Sequence, residues 1–347
     1  MECLAIGSLP YNNPQDAIKV VEKYFSSIPF WPQLAKVSKN EDMTFQFLEG
    51  MPSFFISEDF KFNTEDEKFY KDLEQFFLDY EEIIENNNED LLEKYSITED
   101  FSSTFKPFLE LAKNATLAKG QVVGPFTLAT TLTDKGGRCA IYDDTLKEII
   151  VKTLTLKALW QINQIKKVGA TPIIFIDEPS ISQLGTSAYL TISQDDVVEM
   201  LKEISDAIKS HGALSAIHCC GKCDWSAPIK TGINIISLDA FAYAQNLSIF
   251  HKDVEKFLKN GGKIAWGVVP TLDKEALENA NLETVIDKFD KAVNYLTKKG
   301  INEKLIIENS YVTPSCGAGS LSIELAEKAM QLTKELSENL KARYNAN

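Results

Sequence analysis

Ala216-Ile217-His218-Cys219-Cys220-Gly221-Lys222-Cys223-Asp224-Trp225 is the stretch from which the rest of the chain is read. The apolar run over residues 213–217 that leads into it has the length and composition of a buried strand. It delivers His218 and Cys220, two positions apart, to the same side of the strand end. Imidazole nitrogen and thiolate sulfur are donors that zinc prefers. Two donors do not make a site, so the fold must bring the others from elsewhere in the chain.

The run over 213–217 is one of a series. Candidate strands fall at residues 4–8, 30–34, 121–123, 172–176, 213–217, 233–238, 263–268 and 304–307. Most are apolar or β-branched throughout, as parallel strands buried on both faces are. The second contains Pro32 and follows Pro29, and is the weakest strand of the eight. Amphipathic stretches separate them. Residues 144–168 end in Lys166-Lys167-Val168-Gly169, residues 193–211 start at a Ser-Gln-Asp cap, and residues 282–300 stop at Lys298-Lys299-Gly300. A last helix over 322–344 carries Leu325, Ala329, Leu332, Leu336 and Leu340 on one stripe. Strands alternating with helices predict an α/β fold, a (β/α)8 TIM barrel, as a single domain over residues 1–347. Residues 55–118 interrupt the alternation as a helical, acidic insertion after the second strand. There Thr64-Glu65-Asp66-Glu67 has capping-box spacing, and Phe69, Leu73, Phe76, Phe77 and Tyr80 follow at helical spacing. Its carboxylates read as a solvated face.

The totals narrow the classes. With 44% hydrophobic residues the chain supports a large core. A formal charge of −14 argues against nucleic acid and against an anionic membrane surface. No apolar run approaches the length of a membrane span, and Met1-Glu2-Cys3-Leu4-Ala5-Ile6-Gly7 lacks the features of a signal peptide, so a cytoplasmic protein is expected. Six cysteines in 347 residues make no disulfide scaffold. Three of them within five residues point to metal or redox chemistry.

In a barrel of this kind the site is built where the strands end. His218 and Cys220 end the fifth candidate, Asp239 ends the sixth, and Cys316 follows the eighth. Singly, each reads as an ordinary loop or core residue. Together they supply one nitrogen, two sulfurs and a displaceable carboxylate, a tetrahedral zinc set. Such a zinc takes a substrate thiol as ligand and lowers its pKa. Cys219 and Cys223 read as bystanders, with Cys223 a possible substitute ligand, and Cys3 and Cys139 as isolated small residues. The fourth candidate ends in Asp177-Glu178-Pro179, whose carboxylates are the candidate catalytic groups. Gly7-Ser8-Leu9-Pro10 turns toward the same mouth, so Gly7 and Ser8 join Asp177 as substrate-binding candidates, with Tyr243 reaching in from beyond the sixth strand. Gly124-Pro125-Phe126-Thr127 permits close backbone approach after the third. Neither a dinucleotide fingerprint nor a phosphate-binding loop is present.

These motifs, in this order and across nearly the whole chain, resemble the catalytic C-terminal barrel of cobalamin-independent methionine synthase. They are also similar to the related zinc methyltransferases that pass methyl groups from corrinoid proteins to thiols. The resemblance implies zinc on His218, Cys220 and Cys316 with Asp239 as fourth ligand, Asp177 on a polar substrate group, and Ser8 at the acceptor. Two departures matter. The methionine synthases have glutamate where this chain has Asp239, and Leu128-Ala129-Thr130-Thr131 stands where they carry a folate-stacking tryptophan. The second points to a methylcorrinoid donor, or at least against polyglutamyl folate; the resemblance implies a small-molecule thiol acceptor and a corrinoid protein as partner. Two alternatives are a uroporphyrinogen decarboxylase-like enzyme, disfavoured by a chain whose only arginines are Arg138 and Arg343, and a non-catalytic metal- or corrinoid-binding subunit.

Overall fold

Strand formation follows from runs such as Ile173-Ile174-Phe175-Ile176, whose side chains are buried on both faces. In the computed structural model, residues 1–52, 61, 62, 64 and 67–345 are described. Six strands form one curled parallel sheet in chain order: β1 (Leu117–Val123), β2 (Thr171–Asp177), β3 (Leu214–Cys219), β4 (Ile235–Leu238), β5 (Lys263–Val269) and β6 (Ser310–Pro314). Helices surround it, making a mixed α/β architecture. Leu4, Ile6, Ile173, Phe175, Ala216, Ile235, Ala265 and Tyr311 form a small apolar cluster inside the curl. The alternate residues Ile174, Ile176, Ile217, Ile236, Leu238 and Trp266 join the larger core under the helices. This period-2 division decides which side chains reach the interior.

The helices start and stop on local signals. Asp143 accepts from the Leu146 N–H to cap Asp144–Lys167, and Ser193 accepts from the Asp196 N–H to cap Gln194–Ser210. Asn281 and Thr284 form a reciprocal capping box on Leu282–Thr297. Gly169, at φ +92°, takes the left-handed turn that ends the first of these.

Residues 4–8 and 30–34, expected as full strands, form no ladder; this part of the chain makes isolated bridges only, Cys3 to Val312, Ser8 to Gln33 and Phe30 to Lys119. Pro29 and Pro32 have no N–H to extend a ladder there. The expected eighth strand, 304–307, lies in a short helix instead. Asn302 accepts from the Leu305 N–H, so Glu303–Glu308 winds up around the buried Ile306. The strand is Ser310–Pro314, beyond the Asn309 C-cap. In the insertion, Glu67–Asn86 is a long helix burying Phe69, Phe76 and Ile83, while residues 65 and 66 of the expected capping box lie outside the described residues. One of its acids is not solvated: Asp79 is buried and accepts from Lys94 at 2.6 Å, Tyr95 at 2.7 Å and Gln75 at 2.7 Å. Among the described residues no helix is long and apolar enough to cross a membrane.

Candidate metal centre

The strand register sets the site. Asp177 on β2 lies opposite His218 on β3, which lies opposite Ser237 on β4. His218 Nδ1 and Ser237 Oγ are 3.1 Å apart, which fixes the ring. Nε2 is buried and has no hydrogen-bond partner. Cys220 follows one residue past β3, and Cys316 follows β6, nearly a hundred residues later. The donor atoms of His218, Cys220 and Cys316 all lie within 4.8 Å of one another.

The two thiols are electrostatically linked. Hydrogen bonding from the Cys316 thiol holds Cys220 far below the ordinary thiol range, with His218 adding to the effect against the cost of burial. Cys316 is held correspondingly high by its neighbour and by burial. Sulfur binds a metal as the thiolate, so a metal here would displace the proton the pair shares. A buried imidazole nitrogen without a partner, facing two sulfurs of this kind, fits a thiophilic metal such as zinc.

A cavity of about 450 Å³ opens over these donors, lined among others by Ser8, Met43, Asp177 and Leu272. Asp177 is buried there, and its Oδ1 has no hydrogen-bond partner. Burial pushes its carboxyl up, opposed by the charge of Lys119. That lysine was not singled out in the sequence. It is fully buried, donates to Gln121 Oε1 at 2.9 Å, and stands 4.5 Å over the Phe175 ring. Burial lowers its pKa to about 8. A larger groove of about 840 Å³, bounded by Ile84, Lys166 and His211, shares no residue with this cavity, and none of its lining side chains is an orphaned buried polar group.

The other expected residues are distributed differently. Asp239 is buried at the same rim but outside the 4.8 Å group. Its Oδ1 accepts from the Ala242 N–H at 2.9 Å and caps the helix Ala240–Leu247. Burial, then the charge of Cys220, raises its pKa to about 6. Glu178, expected beside Asp177 as a catalytic group, does not line the cavity. Its carboxylate accepts from the Phe126 N–H at 3.0 Å, the Thr127 N–H at 2.8 Å and the Thr127 hydroxyl. Gly124 makes room for it, since a Cβ there would lie 2.1 Å from Glu178 Oε2. Ser8 lines the cavity, whereas Gly7 packs beneath it against Gln33 and Gln121. Tyr243 is exposed and does not line the cavity. Cys219 and Cys223 are buried in the outer core, away from the donor group. Ser237 also escaped the sequence reading. Its signal was a hydroxyl at an inward position of the otherwise apolar strand Ile235-Ile236-Ser237-Leu238.

No protein-family profile matches this chain, and a search of curated proteins finds no match.

Proposed function

We propose that the chain is a zinc-dependent methyltransferase acting on a thiol, with a methylcorrinoid as donor, in the manner of the methionine synthase-like barrels. The observation that carries this reading is the convergence of His218, Cys220 and Cys316 around an orphaned Nε2 at the floor of a cavity. Three donors with a further position open to the cavity is the pattern of a catalytic zinc. When bound, zinc lowers the pKa of a substrate thiol so that the thiolate attacks a methyl group at neutral pH. His218, Cys220 and Cys316 would hold the ion, Ser237 orients His218, and Asp239 would serve as a displaceable fourth donor. Asp177 receives a hydrogen-bond donor of the acceptor molecule, and Ser8 borders the same space.

The bridges Cys3–Val312, Ser8–Gln33 and Phe30–Lys119 support a finer reading of the fold. In it residues 3–9 and 30–33 are the first two staves of a closed eight-stave barrel. A corrinoid protein that presents the methyl group is the partner this reading implies. All six cysteines are free, which suits a reducing cytoplasm.

The test is demethylation of methylcobalamin by a panel of thiols with bound zinc quantified. Thiol-dependent turnover that falls with the zinc is expected. Zinc without turnover would favour the non-catalytic subunit, and a protein that shows neither zinc nor turnover would sink the reading.

A further inference from the structure

His218 and Cys220 belong to one strand end, so their spacing is built into β3. Cys316 has no such support. It lies in the glycine-rich turn Ser315-Cys316-Gly317-Ala318-Gly319, beyond the last residue of β6. A ligand on a loop needs something to fix it before its sulfur can meet two donors from another strand.

The loop after β5 supplies that support through one side chain. Thr271 is 1% exposed, and its Oγ1 accepts from the Cys316 N–H at 2.9 Å while its hydroxyl donates to the Cys316 carbonyl at 2.9 Å. The Thr271 N–H in turn donates to Ser315 Oγ at 3.0 Å, and the Ser315 N–H donates to the Val269 carbonyl at 2.8 Å. One hydroxyl therefore ties both backbone polar groups of the third donor residue to the neighbouring loop. The approach is close enough to require Gly267, where a Cβ would meet the Ser315 Cα at 2.8 Å. A hydroxyl bonded twice to one backbone residue restricts that residue's rotation as well as its position.

We propose that Thr271 is the positioning residue of the metal centre, holding Cys316 so that its sulfur meets Cys220 and His218. The metal part of this inference rests on the zinc reading above; the positioning of Cys316 against Cys220 does not.

Two measurements on the whole chain separate them. In the first, Co²⁺ is titrated into metal-free wild type, Thr271→Val and Thr271→Ser, and the sulfur-to-cobalt absorption is followed. Thr271→Val is expected to weaken Co²⁺ by about 10–100-fold and to lose part of the band at saturation, with Thr271→Ser restoring both. In the second, the metal-free proteins are treated with a bifunctional thiol reagent, and the Cys220–Cys316 cross-linked peptide is quantified. The link is expected to form in wild type and Thr271→Ser, and to fall at least tenfold in Thr271→Val, in line with the loss of an orienting partner. Undiminished cross-linking in Thr271→Val overturns the inference whatever the metal does. A wild type that binds no Co²⁺ while Thr271→Val loses the cross-link sinks the zinc reading and leaves the positioning role standing. If Thr271→Val does not fold, amide exchange at Cys316 in wild type decides: slow exchange is expected, and exchange as fast as an open loop overturns it.

Discussion

Asp177 and Glu178 are neighbours in the chain, both buried, and burial is the chief cause raising the pKa of each. They nevertheless do opposite things. The period of two at a strand end sends one to the cavity and the other to the back of the β1 turn. Glu178 satisfies three donors around Phe126 and Thr127, whereas Asp177 keeps an oxygen with no partner. Histidines repeat the contrast. His211 has both ring nitrogens engaged, with Ala207 at 2.9 Å and Asn87 at 3.1 Å, while His218 leaves Nε2 open. Burial does not distinguish Asp177 from Glu178; in both pairs an unpartnered atom on a residue that lines the cavity separates the members.

The largest effect expected from this comparison is on Glu178. Glu178→Ala leaves two N–H groups and a hydroxyl buried without acceptors, at a cost on the order of 3 kcal/mol or more in urea unfolding. A stability within 0.5 kcal/mol of wild type, the roughly neutral range for surface changes, would break the comparison from the structural side. Asp177→Asn is expected to unfold like wild type to within about 1 kcal/mol, since no native hydrogen bond to the orphaned oxygen is lost. It should lower kcat/KM for the thiol by roughly 10–100-fold, the worth of one hydrogen bond to a charged group. Equal turnover in that variant would remove Asp177 from the site.

Ser237→Ala comes next, with zinc affinity reduced about tenfold and the fold intact, because His218 loses the partner of Nδ1. Asp239→Asn preserves the helix cap and is expected to cost zinc affinity roughly tenfold or less, since three stronger donors remain. Competition with a chromophoric chelator measures both. The pH dependence of stability sharpens the same contrast. Glu178 is pushed up to about 7 from the ordinary 4.5, so between those values the folded protein holds a proton that the unfolded chain releases. Its contribution is full below pH 4.5 and declines as pH rises through 7. Glu178→Gln should remove that slope from the difference between the two unfolding profiles.

Much of this arrangement is legible in the residues. The alternation of apolar runs with capped helices gives the parallel sheet its order, and strand ends bring His218, Cys220 and Cys316 together by topology alone. What escapes does so for physical reasons. β6 is Ser310-Tyr311-Val312-Thr313-Pro314, too polar to stand out, while Leu305-Ile306-Ile307 draws attention as a strand until Asn302 caps it into a helix. β1 begins four residues earlier than its apolar run because Lys119 and Gln121 satisfy each other inside the curl. Asp239 reads as a ligand from its position, but its place at a helix start gives one oxygen a different partner. Glu178 and Asp177 are indistinguishable in sequence without knowing where Thr127 folds back. Ser237 and Thr271 bond to His218 and Cys316, 19 and 45 residues away, the first pairing set by strand register and the second by the meeting of two loops.

The reading proposed here makes the open face of His218, Cys220 and Cys316 a zinc site. Its most direct test is metal analysis of the whole chain purified without added metal, beside Cys316→Ser. About one zinc per chain in wild type, and a loss of most of it in the variant, is the predicted result. Wild-type protein that carries no zinc and takes up none on addition would contradict it.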